Sequence, residues 1–600
     1  DSRQSRGLGD VYKRQVYHRF PALRNSDTSL AERQAQYYVL DPQDASQRRA
    51  AALRNRGNGL TSADRTGMKL LFDICDSLFR EVNPYVKAYQ YAAAQDVDSD
   101  VSFFFDAALK PSAEHARKYN PPGVDELCAL VSVPDGSVAK APSRAVMLRG
   151  SGEAHNIPNT HQSIDMLHYT LMYPFGGGGW NTELHKSAKP HFTLARYYSY
   201  LLQWRKDHPN TAMRFGRLTQ ELAVDSAMRV EFSRLDFLQH NQDKLRVSSY
   251  AELVEAEQRG DASDAGRPAS RNVVLPSSFV GGPRDMSNRL QDSLRLMQIY
   301  GAPAFFVTMT CSTAAAHELC RAAWENSVHP TPTQFKPGDM PEMGVKVFRA
   351  QLDELVKDVR AGCLGPYQAH CFTVEFQKRG LPHVHMIAWT DETRAARDAR
   401  IDDIVTAEAS CESDVVFSLQ LEQMLHSCRA ASANGGKDGK IGCLDSNGKC
   451  CRGFPKEYAR ATSIGEDGFP LYKRRPRAGA VAFGRELPHG GCAVPLRQYA
   501  NSTIVARGGV KRDNNYMVPT SAVLLNKYRV HLNVEAVGSS SVVKYLHKYV
   551  FKGVERVYAG ASDGGRDEVE EYTDFRYMSS CRAYWGHFGY PITGIFPSVV

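Results

Sequence analysis

The chain lacks any apolar run approaching the ~20 residues that a membrane-spanning helix needs. Its polar start also lacks the hydrophobic stretch of a secretory signal. Cysteine is sparse, 13 in 600 residues. The count is odd, the spacing is scattered, and no Cys-x-x-Cys pair occurs. A disulfide framework is therefore excluded, and reduced thiols in the nucleus or cytosol are expected, with room for one metal cluster. There are no internal repeats. No Gly-x-x-x-x-Gly-Lys-Ser/Thr occurs either, so ATP-driven unwinding cannot be assigned to these residues. The four glycines within Tyr173–Trp180 read as a turn rather than a phosphate cradle.

What is present describes a soluble globular protein: 42% hydrophobic and 23% charged residues, enough for roughly three or four domains. The formal net charge of +8 is mildly basic and compatible with a nucleic-acid partner. Residues 1–15 read as a non-native leader, because Arg3 to Gln15 resemble a translated adaptor. The chain reads as a piece open at both ends. Residues 16–156 form an N-terminal accessory region without recognisable chemistry, apart from a helical pattern over Ser62–Leu78. Helical spacing returns over Thr193–Asn241, and residues 257–276 read as a polar linker. Helices are expected at Ser287–Tyr300 and Val345–Ala361. Strands are expected at Ala304–Thr310, Ala369–Gln377 and Pro382–Thr390, the last two forming an antiparallel hairpin. A long insertion, residues 391–515, precedes a strand over Tyr528–Val537 and a helix over Ser541–Phe551.

The chemistry concentrates at Glu375 to Ile387. On a strand, residues i and i+2 share a face, so His383 and His385 present two imidazoles side by side, as a divalent metal site requires. Glu375 and Gln377 share strand parity across the hairpin. The anionic Glu375 is the favoured third ligand and Gln377 the alternative. Such a mixed N/O site with open positions suits Mg²⁺ or Mn²⁺ engaging a phosphate. Further along, Tyr545 and Tyr549 stand at i and i+4 and share a helix face. A phenol titrates near pH 10, so its attack on phosphorus needs a metal or nearby cations. Lys544, Lys548 and Lys552 repeat on an adjacent face, where they could hold a DNA backbone or favour the phenolate.

A second cluster, His426, Cys428, Cys443 and Cys450, with Cys451 as an alternative to Cys450, has ligand types that suit tetrahedral Zn²⁺. The basic stretch Lys473, Arg474, Arg475, Pro476 and Arg477 offers phosphate contacts beside Tyr472. His531, Asn533 and Glu535 alternate along one strand face, where they could flank the metal or serve a structural role.

Glu375-Phe376-Gln377 through His385 resembles the HUH motif of Helitron transposases, the rolling-circle DNA transposons of eukaryotes. Phe305–Cys311 resembles the strand that opens their Rep nuclease domain, and Tyr545–Gly553 resembles their two-tyrosine motif. Phe454-Pro455-Lys456, Tyr516–Pro519, His531–Glu535 and Phe596–Val600 add matches in the same order. Two places depart from the family pattern: Cys311–Ala316 stands where an Asn-Pro and a Trp are usual, and His426 to Cys428 is one residue short of the usual spacing.

The resemblance implies an α+β fold, with an HUH/Rep-type central antiparallel sheet flanked by helices, a preceding accessory α+β domain and a Cys-rich insertion. It divides the chain into a Helitron helicase-like N-terminal domain at 157–300, a first nuclease part at 301–390, the insertion at 391–515 and a second nuclease part with the two-tyrosine helix at 516–600. It implies an endonuclease that nicks single-stranded DNA at transposon ends. Tyr545 or Tyr549 would attack and stay linked to the 5′-phosphate, leaving a free 3′-hydroxyl. A helicase domain in cis and a nuclear location are implied as well. A viral or plasmid rolling-circle initiator, or a non-catalytic DNA-binding remnant, remains an alternative.

Overall fold

The computed structural model describes residues 62–87, 164–181, 191–205, 211–241, 274–311, 340–376, 381–410, 415–428, 443–476, 511–538 and 577–598, except for a few positions inside those ranges, together with short strands elsewhere. Contacts divide the chain into two units. One comprises Asp10–Val274 and Arg556–Tyr577; the other comprises Asp1–Gly9, Leu275–Glu555 and Met578–Val600.

The first of these units contains helices α1 (Ser62–Val82), α2 (Leu194–Leu201) and α3 (Arg217–His240). The helical spacing of Thr193–Asn241 is thus divided, with a 3-10 turn at Thr211–Arg214 between α2 and α3. Thr193 caps α2 by accepting a hydrogen bond from the Arg196 amide, which satisfies one of the amides left unpaired at a helix start. Among the described residues the interior holds a charged cluster. Arg229 pairs with Asp165 at 2.6 Å, and the Tyr198 hydroxyl donates to the same carboxylate at 2.8 Å. All three residues are buried, so the two charges and the phenol satisfy one another rather than serving a ligand. Within Tyr173–Trp180 a turn closes at Tyr173–Gly176, whose Gly176 amide donates to the Tyr173 carbonyl, and Gly176 and Gly178 take positive φ.

The second unit is built on a sheet. In chain order its main elements are α4 (Pro283–Tyr300), β1 (Phe305–Thr310), α5 (Pro341–Arg360), β2 (Tyr367–Phe376), β3 (Pro382–Thr390), α6 (Ala522–Tyr528), β4 (Leu532–Ala536), α7 (Ser580–His587) and β5 (Thr593–Phe596). Both α4 and α5 begin about one turn before the expected start, at a proline; proline suits the first helical position because no amide is lost there. Gly301 closes α4 with φ 75°, a conformation that disfavours residues with a Cβ. The strand order is β4-β1-β3-β2-β5, and every neighbouring pair is antiparallel. The protein is therefore a mixed α+β chain with a five-stranded antiparallel sheet and flanking helices.

The expected strand Tyr528–Val537 is corrected at its start. Helix α6 runs through Tyr528, Arg529 takes a left-handed φ of 52°, and the strand opens at Leu532. Leu524, Leu525 and Tyr528 are buried at helical spacing, and the Tyr528 hydroxyl donates to Asp358 at 2.5 Å. These contacts hold the segment as helix against its strand-like composition.

Each face of the sheet has its own cover. Phe376 and α5 Phe348 meet Trp585 of α7, with ring centroids 5.9 and 6.2 Å away. Burial of a residue such as Phe348 contributes on the order of 2–3 kcal/mol. On the opposite face Phe306, Cys371, Ile387 and Trp389 form a cluster with Leu296 of α4. At the edge, β5 lies tightly on β2: a Cβ on Gly594 would come within 2.3 Å of the Phe372 ring.

The described residues between 391 and 476 are tied to the sheet rather than hanging from it. Thr406 bridges Thr520, Arg397 donates to the Val537 carbonyl at 2.9 Å, and the Ala536 amide donates to the Tyr472 hydroxyl at 2.8 Å. Among the described residues no helix is long and apolar enough to cross a membrane.

His370 gives the sheet unit a pH dependence. It stacks between Phe372 and Phe596, and burial, aided by the nearby Arg360 charge, lowers its pKa from 6.5 to about 4. The unfolded chain then binds the extra proton first. The stabilisation is complete above pH 6.5 and is lost as pH falls toward 4. Between pH 7.5 and 5, wild type should lose about 2 kcal/mol more unfolding free energy than His370→Phe, measured by urea titration at both pH values. Equal losses would remove His370 from this role.

Candidate metal centre on the sheet

The His pair lies on β3, an inner strand with β1 on one side and β2 on the other. Register pairs His383 with Glu375 on β2 and with Thr310 on β1. One step along, His385 pairs with Thr373 and Thr308. Directly opposed residues share a face in an antiparallel sheet, so Glu375, His383, His385, Thr308 and Thr310 lie on one face. The Glu375 carboxylate is 3.3 Å from His383 Nε2 and 3.9 Å from His385 Nε2. One ligand atom from each of the three residues falls within 4.8 Å of the others. Both imidazoles are buried, at 7% and 8% exposure.

Orientation comes from neighbours. His385 Nδ1 lies 3.0 Å from the Thr308 hydroxyl, and its ring stacks on Phe306 at 5.6 Å. In the tautomer that donates Nδ1–H to Thr308, the Nε2 lone pair would be free for a metal, as a ligand imidazole needs. His383 Nδ1 is buried without a hydrogen-bond partner. Two nitrogens and a carboxylate oxygen gathered on a rigid strand pair fit a divalent ion with open positions.

β4 continues the same face. The Thr310 amide donates to the His531 carbonyl at 3.0 Å, while Asn533 pairs with Thr308 and Glu535 with Phe306. Burial, and then the Arg452 charge, lowers the His531 pKa. Burial raises that of Glu535, against the opposing pull of Asn533, Lys456 and Arg474. Asn533 donates to Glu535 at 3.2 Å. β1 separates these three residues from the His strand, so they border the centre rather than belonging to its three-residue set.

The second cluster also comes together: His426, Cys428, Cys443 and Cys450 offer ligand atoms within 4.8 Å of one another. Burial, followed by the charges of Arg452, Arg512 and Lys456, lowers His426 to about 4. Burial, followed by the neighbouring Cys450 and Cys443 thiols, pushes Cys428 up to about 12. At Cys450 burial pushes upward, but backbone N–H groups of Phe454 and Arg452 and the adjoining thiols outweigh it, so the pKa falls.

The basic stretch requires a correction. Arg474 is 2% exposed and donates to the carbonyls of Asn514 and Met517 at 2.8 and 2.6 Å, with a longer bond to Ala407 at 3.4 Å. Its guanidinium is spent inside the fold and cannot meet a phosphate. Arg475 is exposed but forms a two-pronged pair with Glu408, at 2.7 and 2.9 Å. Lys473 is half-buried. Gln377, Arg477, Lys544, Tyr545, Lys548, Tyr549 and Lys552 lie outside the described residues.

Thr308 is the site residue that sequence reasoning missed. Its signal was its place in the alternating strand Phe305–Thr310, but only the register of β1 against β3 shows which imidazole it meets.

No curated protein matches the chain. Residues 197–388, which run from α2 into β3 and include Glu375, His383 and His385, match the family model described as the Helitron helicase-like domain at the N-terminus, and this match supports a Helitron-related protein.

Proposed function

We propose that the chain is the nicking part of a Helitron-like rolling-circle transposase, a metal-dependent tyrosine endonuclease acting in the nucleus on single-stranded DNA. The observation that carries the reading is the Glu375–His383–His385 set, three ligand atoms within 4.8 Å on adjacent strands of an antiparallel sheet. A bound Mg²⁺ or Mn²⁺ would supply positive charge to polarise the scissile phosphate and orient its oxygens. Imidazole-containing sets favour Mn²⁺ over Mg²⁺, so Mn²⁺ should be the better activator.

The protein's own groups do the rest. His383, His385 and Glu375 would hold the ion against the phosphate, and Thr308 fixes the imidazole of His385. Tyr545 or Tyr549 supplies the attacking oxygen. A Tyr oxygen–phosphorus bond forms and the phosphorus–O3′ bond breaks; the phenol loses its proton and the departing 3′ oxygen gains one. Lys548 would favour the phenolate, and Lys544 and Lys552 would hold backbone phosphates. Reach supports the assignment. β4 begins beside Thr310 and ends at Ala536, opposite Phe305, so Val537 lies roughly 17 Å along the sheet from the His row. Eight residues lead from Val537 to Tyr545; with the helix expected to start at Ser541, four extended and four helical residues span roughly 19 Å. Chain length therefore allows either tyrosine to return to the metal face.

The test is nicking of a labelled single-stranded oligonucleotide carrying a transposon end. Wild type should cut with Mn²⁺ and stop when EDTA is added. Thr308→Val, which keeps the strand and its shape but removes the hydroxyl, should lose about 10- to 100-fold in Mn²⁺ affinity or rate. Undiminished cutting in EDTA would contradict the proposal.

A further inference from the structure

The sheet centre does not account for the second ligand cluster, which lies in residues 425–451 and belongs to a different part of the fold. We infer that His426, Cys428, Cys443 and Cys450 form a closed structural Zn²⁺ site that fastens the segments around His426 and Cys450 to the residues leading into α6 and β4. This inference does not rest on the nuclease reading.

Geometry is the first support. His426 Nε2 lies 3.5 Å from Cys443 Sγ and 3.4 Å from Cys450 Sγ. In tetrahedral zinc, bonds of about 2.3 Å to sulfur and about 2.0 Å to nitrogen place N and S about 3.5 Å apart. The observed separations match those of two ligands on one tetrahedron edge. Three thiols and one imidazole complete four positions and leave none for substrate, the mark of a structural rather than a catalytic zinc site.

The setting is the second support. The His426 ring stacks on Phe454 at 4.3 Å, and the His426 amide donates to the Tyr516 carbonyl at 2.9 Å. The Cys451 amide donates to the Cys443 carbonyl at 2.7 Å, and Leu444 bridges Cys450. Backbone bonds therefore place the two later cysteines side by side. The register also decides between adjacent cysteines: Cys450 is buried in the cluster, while Cys451 is exposed and outside it. Leu425 bridges Met517, and the Lys456 amide donates to the Asn515 carbonyl at 2.8 Å. The cluster thus closes two segments onto 515–517, directly before α6. Thiolate-rich ligation selects zinc over Mg²⁺ or Mn²⁺.

Metal analysis of the purified full chain tests this. Wild type, reconstituted with Zn²⁺ and desalted, should retain one zinc per chain by mass spectrometry. Cobalt exchanged into wild type should give the visible bands of a tetrahedral site with thiolate charge transfer. Cys451→Ser and the paired His383→Ala/His385→Ala variant should keep the zinc, while Cys443→Ser should lose it. Should Cys443→Ser fail to fold, the cobalt spectrum of wild type and the retained zinc of Cys451→Ser stand as independent readouts. Absence of stoichiometric zinc, an octahedral cobalt spectrum, or loss of zinc in Cys451→Ser or in the paired histidine variant would each overturn the site. None of these outcomes depends on nicking, so failure here and failure of the nuclease reading are separable.

Discussion

His383→Ala is expected to reduce Mn²⁺-dependent nicking by at least about 10³-fold, roughly 4 kcal/mol of transition-state stabilisation. Affinity for the oligonucleotide should change little, because most of that binding comes from phosphate contacts elsewhere. The reasoning starts from the sheet. His383 lies opposite Glu375 on β2, and its Nε2 is 3.3 Å from the carboxylate. Removing the imidazole takes away one of the three ligands gathered among the described residues, and at that register position β1 presents Thr310, which is no replacement. Glu375→Gln should be milder. An amide oxygen can still ligate but carries no charge, so the Mn²⁺ concentration for half-maximal rate should rise about 10- to 100-fold, with much of the maximal rate recovered at saturating metal. Steady-state nicking over a Mn²⁺ series separates the two behaviours. A His383→Ala protein that nicks within tenfold of wild type would remove the His pair from the chemistry.

Arg474→Met should destabilise the sheet unit by about 3 kcal/mol, the largest effect on stability expected from any residue of the basic stretch. Burial pulls this guanidinium down to about 10, so it is still charged at neutral pH. It is held by carbonyls of Asn514 and Met517, with Ala407 further off, and methionine would leave those acceptors buried and unbonded. Arg475→Ala removes an exposed pair with Glu408 and should cost less than about 1 kcal/mol. Urea unfolding of the two variants gives the comparison. If Arg474→Met unfolded at the wild-type midpoint and instead weakened DNA binding with a shallower salt dependence, the residue would be a phosphate contact after all.

The contrast between these residues shows what sequence could convey. His383 and His385 were legible because strand parity is a local rule, and Glu375 because a hairpin return brings a residue across within a few positions. The α5 core stripe was legible for the same reason, since Val345, Phe348 and Leu352 recur at helical spacing and are buried. Thr308 was not legible, because the residue it faces lies on a strand whose register is set by a pairing 77 residues away. Arg474 was misleading because a run of like charges reads as a surface that meets phosphates. Nothing local distinguishes the arginine that turns inward to meet carbonyls from the one beside it that stays outside. The edge strand β5 spans only Thr593–Phe596, too short for alternation to register, and it is held by pairing with β2 rather than by its own composition. The start of β4 was misread because the apolar residues around Tyr528 suit either period, and the Tyr528–Asp358 bond decides for helix.

The most direct test of the account is covalent capture of DNA. Wild-type chain is incubated with Mn²⁺ and a single-stranded oligonucleotide labelled on the 3′ side of the nick, then resolved on a denaturing gel beside Tyr545→Phe, Tyr549→Phe and the double variant. The account predicts label at protein mass in wild type, reduced or lost in one or both single variants, absent from the double variant and absent in EDTA. Cleavage that proceeds without any labelled protein, or an adduct that survives in the double variant, would contradict tyrosine transesterification.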